Sequence, residues 1–170
     1  MFMTVAEFIA EKKLQSRIHS ACERLLTDAT ILPRVEAVPI RKSRALRRLG
    51  SYVERDGKPR EIRLQFAQEE ESLVDTFLHE LAHCFDHLAN QSGKSYRLAH
   101  GSGWKAWAEA LGIEPVRCGE SRQLRSLAES RLKVVAVCER CGFELHRLRR
   151  LPRRRRYLHI QCGGRFKVIS

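Results

Sequence analysis

A chain of 170 residues, 43% hydrophobic and 31% charged, holds enough apolar side chains for one packed domain with a small appendage, which excludes a wholly disordered protein. No apolar run nears the roughly 20 residues that span a bilayer, and MFMTVAEFIAEKKLQ lacks an apolar signal core. The expectation is therefore a cytoplasmic protein, possible at the nucleoid, without a membrane role and with its six cysteines reduced. The net charge of +12 is unevenly placed: residues 121–170 carry 14 Lys/Arg against 3 Asp/Glu, residues 1–120 only 18 against 17. Basicity of that kind points to an acidic partner, nucleic acid first, and away from a general surface property.

In chain order, Thr4 and Glu7 form a capping box. Val5, Phe8, Ile9, Leu14, Ile18, Cys22, Leu25 and Leu26 follow at helical spacing, predicting one amphipathic helix over 5–28. Pro33 and Pro39 bracket RVEAV, read as extended. The runs RALRRLGSYVE and REIRLQFA flank Asp56-Gly57 and predict a β-hairpin whose second strand offers an edge to an extended substrate. Glu69–Glu71 suit the N-terminus of a second helix, 70–90. The loop NQSGKSYRLAHGSG leads to a short helix, WKAWAEALG, ended by Gly112. This organisation gives a domain over 1–120, a connecting helix over 121–131 and a module over 132–170 that turns to short strands around cysteine pairs.

Inside the second helix, His79-Glu80-Leu81-Ala82-His83 has the H-E-x-x-H pattern. Positions i and i+4 lie on one helical face, so both imidazoles reach one metal. Glu80, turned about 100° from His79, can act as general base on a water without being a ligand. By chance the pattern would arise in roughly 3% of shuffled chains of this composition, so a third ligand matters. His87 continues the series but lies about 12 Å along the axis from His79, which suits a surface or supporting role. Glu109 is a carboxylate alternative. His100, before Gly101-Ser102-Gly103, is the best choice because the chain can turn sharply there. Tyr96 and Arg97 stand in the same loop, with position alone to recommend them as oxyanion donors. Cys22 and Cys84 read as small core residues, His19 as surface, and Trp104 and Trp107 as packing under the site. Cys118 has no assigned role.

Farther on, Cys138-x2-Cys141 and His159-x2-Cys162, each near glycines, have the spacing of a zinc ribbon whose two turns grip one structural Zn²⁺. His146 is the fallback for His159. Between the pairs run Arg147, Arg149, Arg150, Arg153, Arg154, Arg155 and Arg156, placed on a hairpin turning at Pro152. Their guanidinium forks suit phosphates, and Tyr157, Phe143 and Phe166 either stack on bases or cover the small core.

HELAH, then His100 in HGSGW, then an amphipathic helix and a Cys-pair module, together resemble the SprT family of metallopeptidases. The resemblance implies an α+β fold: a zincin-like core of helices and a small antiparallel sheet, with a C-terminal β zinc ribbon. It also implies His79, His83 and His100 as ligands of a catalytic zinc, Glu80 as acid/base, and a DNA-linked role for some members. The metzincin pattern is not met, since Asp86 stands where that pattern needs glycine. The expected function is a monomeric protease with two zinc sites, hydrolysing proteins on DNA to which its ribbon binds. The alternatives are a nucleic-acid-binding regulator with a vestigial site, and a peptidase whose tail binds acidic protein or a membrane surface.

Overall fold

The capping box forms as the sequence requires. In the computed structural model, which describes residues 3–91, 93–115 and 119–169, strand β1 (Met3–Thr4) runs straight into helix α1 (Val5–Glu11). Thr4 Oγ1 accepts the Glu7 amide at 3.2 Å, and the Glu7 carboxylate accepts the Thr4 amide at 2.6 Å. The helix does not continue to residue 28. Lys13 has φ +56°, and α2 (Gln15–Leu25) starts beyond it. The cause is the apolar stripe itself: after Ile9 the next inward position falls on Lys12, and the stripe resumes only at Leu14. Breaking the helix lets Val5, Phe8 and Ile9 share one core with Ile18, Ala21 and Cys22. RVEAV is not extended either, because it falls largely within helix α3 (Ile31–Glu36). Pro33 is its third residue, where the missing N–H has no intrahelical acceptor to lose.

Strands β2 (Pro39–Lys42), β3 (Gly50–Arg55) and β4 (Lys58–Leu64) join β1 in a sheet of order β1-β2-β4-β3. The β3–β4 hairpin turns on Asp56 and Gly57, with φ +54° and +71°, the paired positive values of a type I′ turn. β4 pairs on both sides, antiparallel with β3 and parallel with β2, so the sheet is mixed and not the antiparallel one expected: helix α3 and the chain before it leave β2 running alongside β4. REIRLQFA therefore has no free edge, and the sheet edge on that side belongs to β3.

Helix α4 (Glu70–Asn90) lies in the middle of this unit. From Thr76 to Leu88 every residue but His79 is buried, against the sheet residues Ile62 and Leu64, helix α3 and helix α5 (Ser102–Ala110). Phe8 packs on Phe77 with ring centres 4.4 Å apart, and Phe85 stacks on Trp107 at 4.3 Å. Cys22 and Cys84 are buried core residues, and His19 is on the surface. Gly112, at φ +68°, ends α5. Cys118 lies outside the described residues.

The chain divides into two compact units, 1–124 and 125–170, with the division inside helix α6 (Arg122–Ser130). The second unit is an antiparallel sheet of order β6-β5-β7, formed by β5 (Lys133–Cys138), β6 (Glu144–Arg147) and β7 (Phe166–Val168). Val135, Ala136, Leu151 and Phe166 make its small core. The fold is mixed α+β, and no described helix is long and apolar enough to cross a membrane.

Phe77 is fully buried and makes no hydrogen bond that truncation would disturb. Phe77→Ala is expected to cost about 3–5 kcal/mol in chemical denaturation followed by Trp104 and Trp107 fluorescence.

Candidate metal centres

His79 and His83 sit one turn apart on α4, and the loop after α4 brings His100 over them. The turn is made by left-handed backbone at Leu98 (φ +60°) and His100 (φ +67°). Histidine is among the residues that visit this region, yet a side chain there is uncommon and marks a conformation held by its surroundings. His79 Nε2 lies 3.1 Å from His100 Nε2 and 3.2 Å from His83 Nε2. Nitrogens bound tetrahedrally at about 2.0–2.1 Å from one zinc stand about 3.3 Å apart, so the three imidazoles fit that ion. Burial, reinforced by the neighbouring rings, pushes His79 down to about 4 and His83 down to about 3, keeping both neutral and able to donate a lone pair. His83 is buried, while His79 and His100 are partly open to solvent. Three donors with one open side are the arrangement of a catalytic site. His87 and Glu109 stand outside the cluster.

Behind the three histidines runs a polar chain that sequence spacing does not display. Tyr96 donates its hydroxyl to Asp86 Oδ2 at 2.8 Å, and its oxygen lies 3.0 Å from His83 Nδ1. With its hydrogen committed to the carboxylate, Tyr96 accepts from Nδ1–H, so the His83 lone pair is on Nε2. Asn90 Nδ2 holds the other Asp86 oxygen at 2.8 Å. A Cβ added at Gly103 would overlap that same oxygen, so glycine here is a matter of room as well as of turning. Tyr96 is thus engaged between His83 and Asp86 instead of free as an oxyanion donor. His87 is fully buried, contrary to a surface place. It accepts from Tyr52 Oη at Nδ1 (2.6 Å) and donates from Nε2 to the Lys94 carbonyl (2.9 Å), tying β3 to the loop that carries His100. Trp104 packs beneath, its ring against His83 and its Nε1 donating to the His79 carbonyl at 3.3 Å.

Glu80 is 7% exposed and its carboxylate accepts the Tyr52 amide of β3 at 2.6 Å. Burial pushes its carboxyl up to about 7, against the opposing pull of the Tyr52 N–H and the Arg48 charge. Gly50 makes room for it: a Cβ there would stand 2.6 Å from Thr76 Cγ2 and 3.1 Å from Glu80 Oε1. A glycine opening a strand is the one cue to such a close approach that the sequence offered.

In the second unit, Cys138, Cys141, His159 and Cys162 converge. His159 Nδ1 lies 3.2 Å from both Cys141 Sγ and Cys162 Sγ, and Cys162 Sγ is 3.5 Å from the other two sulfurs. His146 is exposed and bonds instead within its own strand. Two equivalent turns present the donors. Gly142 N–H donates to the Cys138 carbonyl and Gly163 N–H to the His159 carbonyl, with φ +73° and +70° at the two glycines. Burial raises the Cys138 thiol, but backbone N–H donors from Cys141 and Arg140 and the adjacent thiols outweigh it and hold Cys138 near 6. A Cβ added at Gly164 would lie 2.6 Å from Cys138 Sγ, inside the cradle. Three sulfurs and one nitrogen, four protein donors that together fill a tetrahedral shell, fit a structural zinc.

All seven arginines between the pairs are exposed. They lie on β6 and in a loop folded around buried Leu151, not on a hairpin, because β6 takes β5 as its partner. Tyr157 packs on the ribbon core with its hydroxyl on the Pro152 carbonyl, and Phe166 is buried there. Phe143 remains 47% exposed, stacked on the His159 ring.

Residues 15–123 match the SprT-like family, and the chain belongs to it. That membership makes the larger unit a metallopeptidase-like domain. No curated protein and no solved structure matches the chain.

Two substitutions separate the centres. Tyr96→Phe should weaken zinc binding at the three histidines by about 10–100-fold, read by chelator competition, while the four-donor site keeps its metal. Gly164→Ala should do the reverse, releasing one zinc from the ribbon and leaving the histidine site loaded.

Proposed function

We propose that this protein is a zinc-dependent peptidase with a zincin-like core, hydrolysing peptide bonds in proteins held on DNA. The observation that carries the reading is the convergence of His100 Nε2 (3.1 Å) and His83 Nε2 (3.2 Å) on His79 Nε2, with all three donor atoms within 4.8 Å of one another, beside the helix that places Glu80 directly after His79. His79, His83 and His100 would hold the catalytic ion and Cys138, Cys141, His159 and Cys162 the structural one. When bound at the histidines, zinc supplies Lewis acidity, lowering the pKa of a coordinated water towards roughly 7 and polarising the scissile carbonyl.

The chain's own residues do the rest. Glu80 takes a proton from the attacking water as the new C–O bond forms, and returns it to the amine as the C–N bond breaks. A carboxyl whose burial brings it to about 7 is suited to both transfers. Tyr52 N–H fixes that carboxylate, and the Asp86–Tyr96 pair keeps His83 in the tautomer that offers Nε2.

Seven exposed arginines support DNA as the ribbon's partner, through phosphates and without base reading. The test is cleavage of a DNA-bound basic protein by wild type and Glu80→Gln. DNA-stimulated cleavage is expected from the wild type, and at least about a hundredfold loss from the variant with both zincs retained. Equal rates from the two proteins would remove Glu80 from the mechanism. No cleavage by a loaded, DNA-binding wild type would favour a binding protein whose site is idle.

A further inference from the structure

The near-neutral total of residues 1–120 conceals a second basic region. Residues 41–63 contain nine Lys/Arg, all exposed, against Glu54, Asp56 and Glu61, while the rest of residues 1–120 has nine Lys/Arg against fourteen Asp/Glu. The three acids do little to balance it outwardly. Glu54 accepts the Gly57 amide within the hairpin, Asp56 sits beside Arg55 at the hairpin tip, and Glu61 is 5% exposed.

Glu61 is the telling residue. By register Arg41 of β2 stands beside Arg63 of β4, two like charges side by side on the sheet face opposite Ile40 and Ile62. Glu61 Oε2 takes Arg41 Nε at 2.7 Å and Oε1 takes Arg63 Nε at 2.6 Å. A buried carboxylate thus fixes both guanidinium groups, although about half of each side chain (46% and 52%) still faces solvent. Planar forks held in place like this are prepared for phosphate oxygens. The basic strip continues past the strand ends. Lys42, Leu64 and Gly50 share one end of the sheet by register, and loop 43–49 closes that end with Arg44, Arg47 and Arg48. Among the described residues Lys42, Arg44 and Arg47 form no ion pair. The same end adjoins the Glu80 carboxylate, through Gly50 and through the charge of Arg48.

We infer that the outer sheet face and loop 43–49 form a second nucleic-acid surface, on the peptidase unit itself, which takes the phosphate backbone beside the site. This rests on the reading that the protein substrate is carried on nucleic acid. It would touch phosphates alone, so binding there would be sequence-independent.

The test is salt-dependent binding of the full-length, zinc-loaded chain to a 20-base-pair duplex. Wild type is compared with Lys42/Arg44/Arg47→Ala and, separately, with Arg153–Arg156→Ala. Arg41, Arg63 and Arg48 are left in place, since the first two hold Glu61 and the third acts on Glu80. The sheet-side variant is expected to keep both zincs and the wild-type thermal midpoint. Its slope of log K against log salt should fall by about 2–3, at about 0.9 for each phosphate that is no longer neutralised, with at least about tenfold weaker binding at low salt. A photo-crosslinking residue at exposed Ala45 should label the duplex. Wild-type affinity and slope in the sheet-side variant would overturn the inference, and if the Arg153–Arg156 variant alone lost binding, the ribbon's role would stand without it. A chain that bound no duplex at all would overturn both. Labelled polyglutamate bound as tightly as the duplex, and lost equally in the sheet-side variant, would overturn the nucleic-acid assignment.

Discussion

The larger unit depends on one burden: helix α4 is enclosed along most of its length and yet carries His79, Glu80, His83, Asp86 and His87. Buried polar groups cost several kcal/mol unless partnered, so each has to be met by an element that packs on the helix. β3 meets Glu80 and His87 through Tyr52, and the loop after α4 meets His83 and Asp86 through Tyr96. Even the glycines at 50 and 103 answer to this, since a side chain at 103 would collide with the Asp86 carboxylate and one at 50 would collide with Thr76 and crowd Glu80. The sheet edge, the loop and the start of α5 are therefore placed by the polar side of α4 as much as by its apolar side.

The two centres solve different problems with related donors. The histidine site draws on a rigid helix and a turned loop, leaves one side open, and is supported by uncharged hydroxyls whose burial pushes their pKa values far up, so that they remain donors. The ribbon site uses two turns with the same hydrogen bond and the same left-handed glycine, around a core of a few residues. Such a module buries too little apolar surface to fold by packing alone, a difference that a zinc held by the four donors would supply.

What the sequence revealed was whatever is local. The capping box, the Asp56-Gly57 hairpin, α4 to its first residue, and the paired ribbon turns all depend on spacings within about ten residues. The helix break at Lys13 was legible in principle, because lysine occupies the inward position after Ile9, but the longer apolar series masked it. Pro33 read as a breaker although it falls in the first turn of α3. REIRLQFA read as an edge because nothing local shows that β2 returns parallel beside it. The partners of the site were hidden for the same reason: Tyr52 is 28 residues before Glu80, and Asp86 drew notice only for not being glycine. The basic strip at 41–63 was lost in a sum, since distant acids on the same unit cancel it.

The ribbon's use of His159 has a further consequence. A thiol would be a compact donor with no face. The imidazole would coordinate from one edge, and it gives its flat side to Phe143, 4.6 Å away and within 13° of parallel. The aromatic that stands out from this module is therefore braced by a member of the four-donor cluster, so its orientation is tied to the geometry of that cluster. Three thiolates and one neutral ring also leave the loaded centre with a single negative charge, where four thiolates would leave two. In a unit with 13 Lys/Arg over residues 125–170, that smaller charge would take less from the field the arginines present.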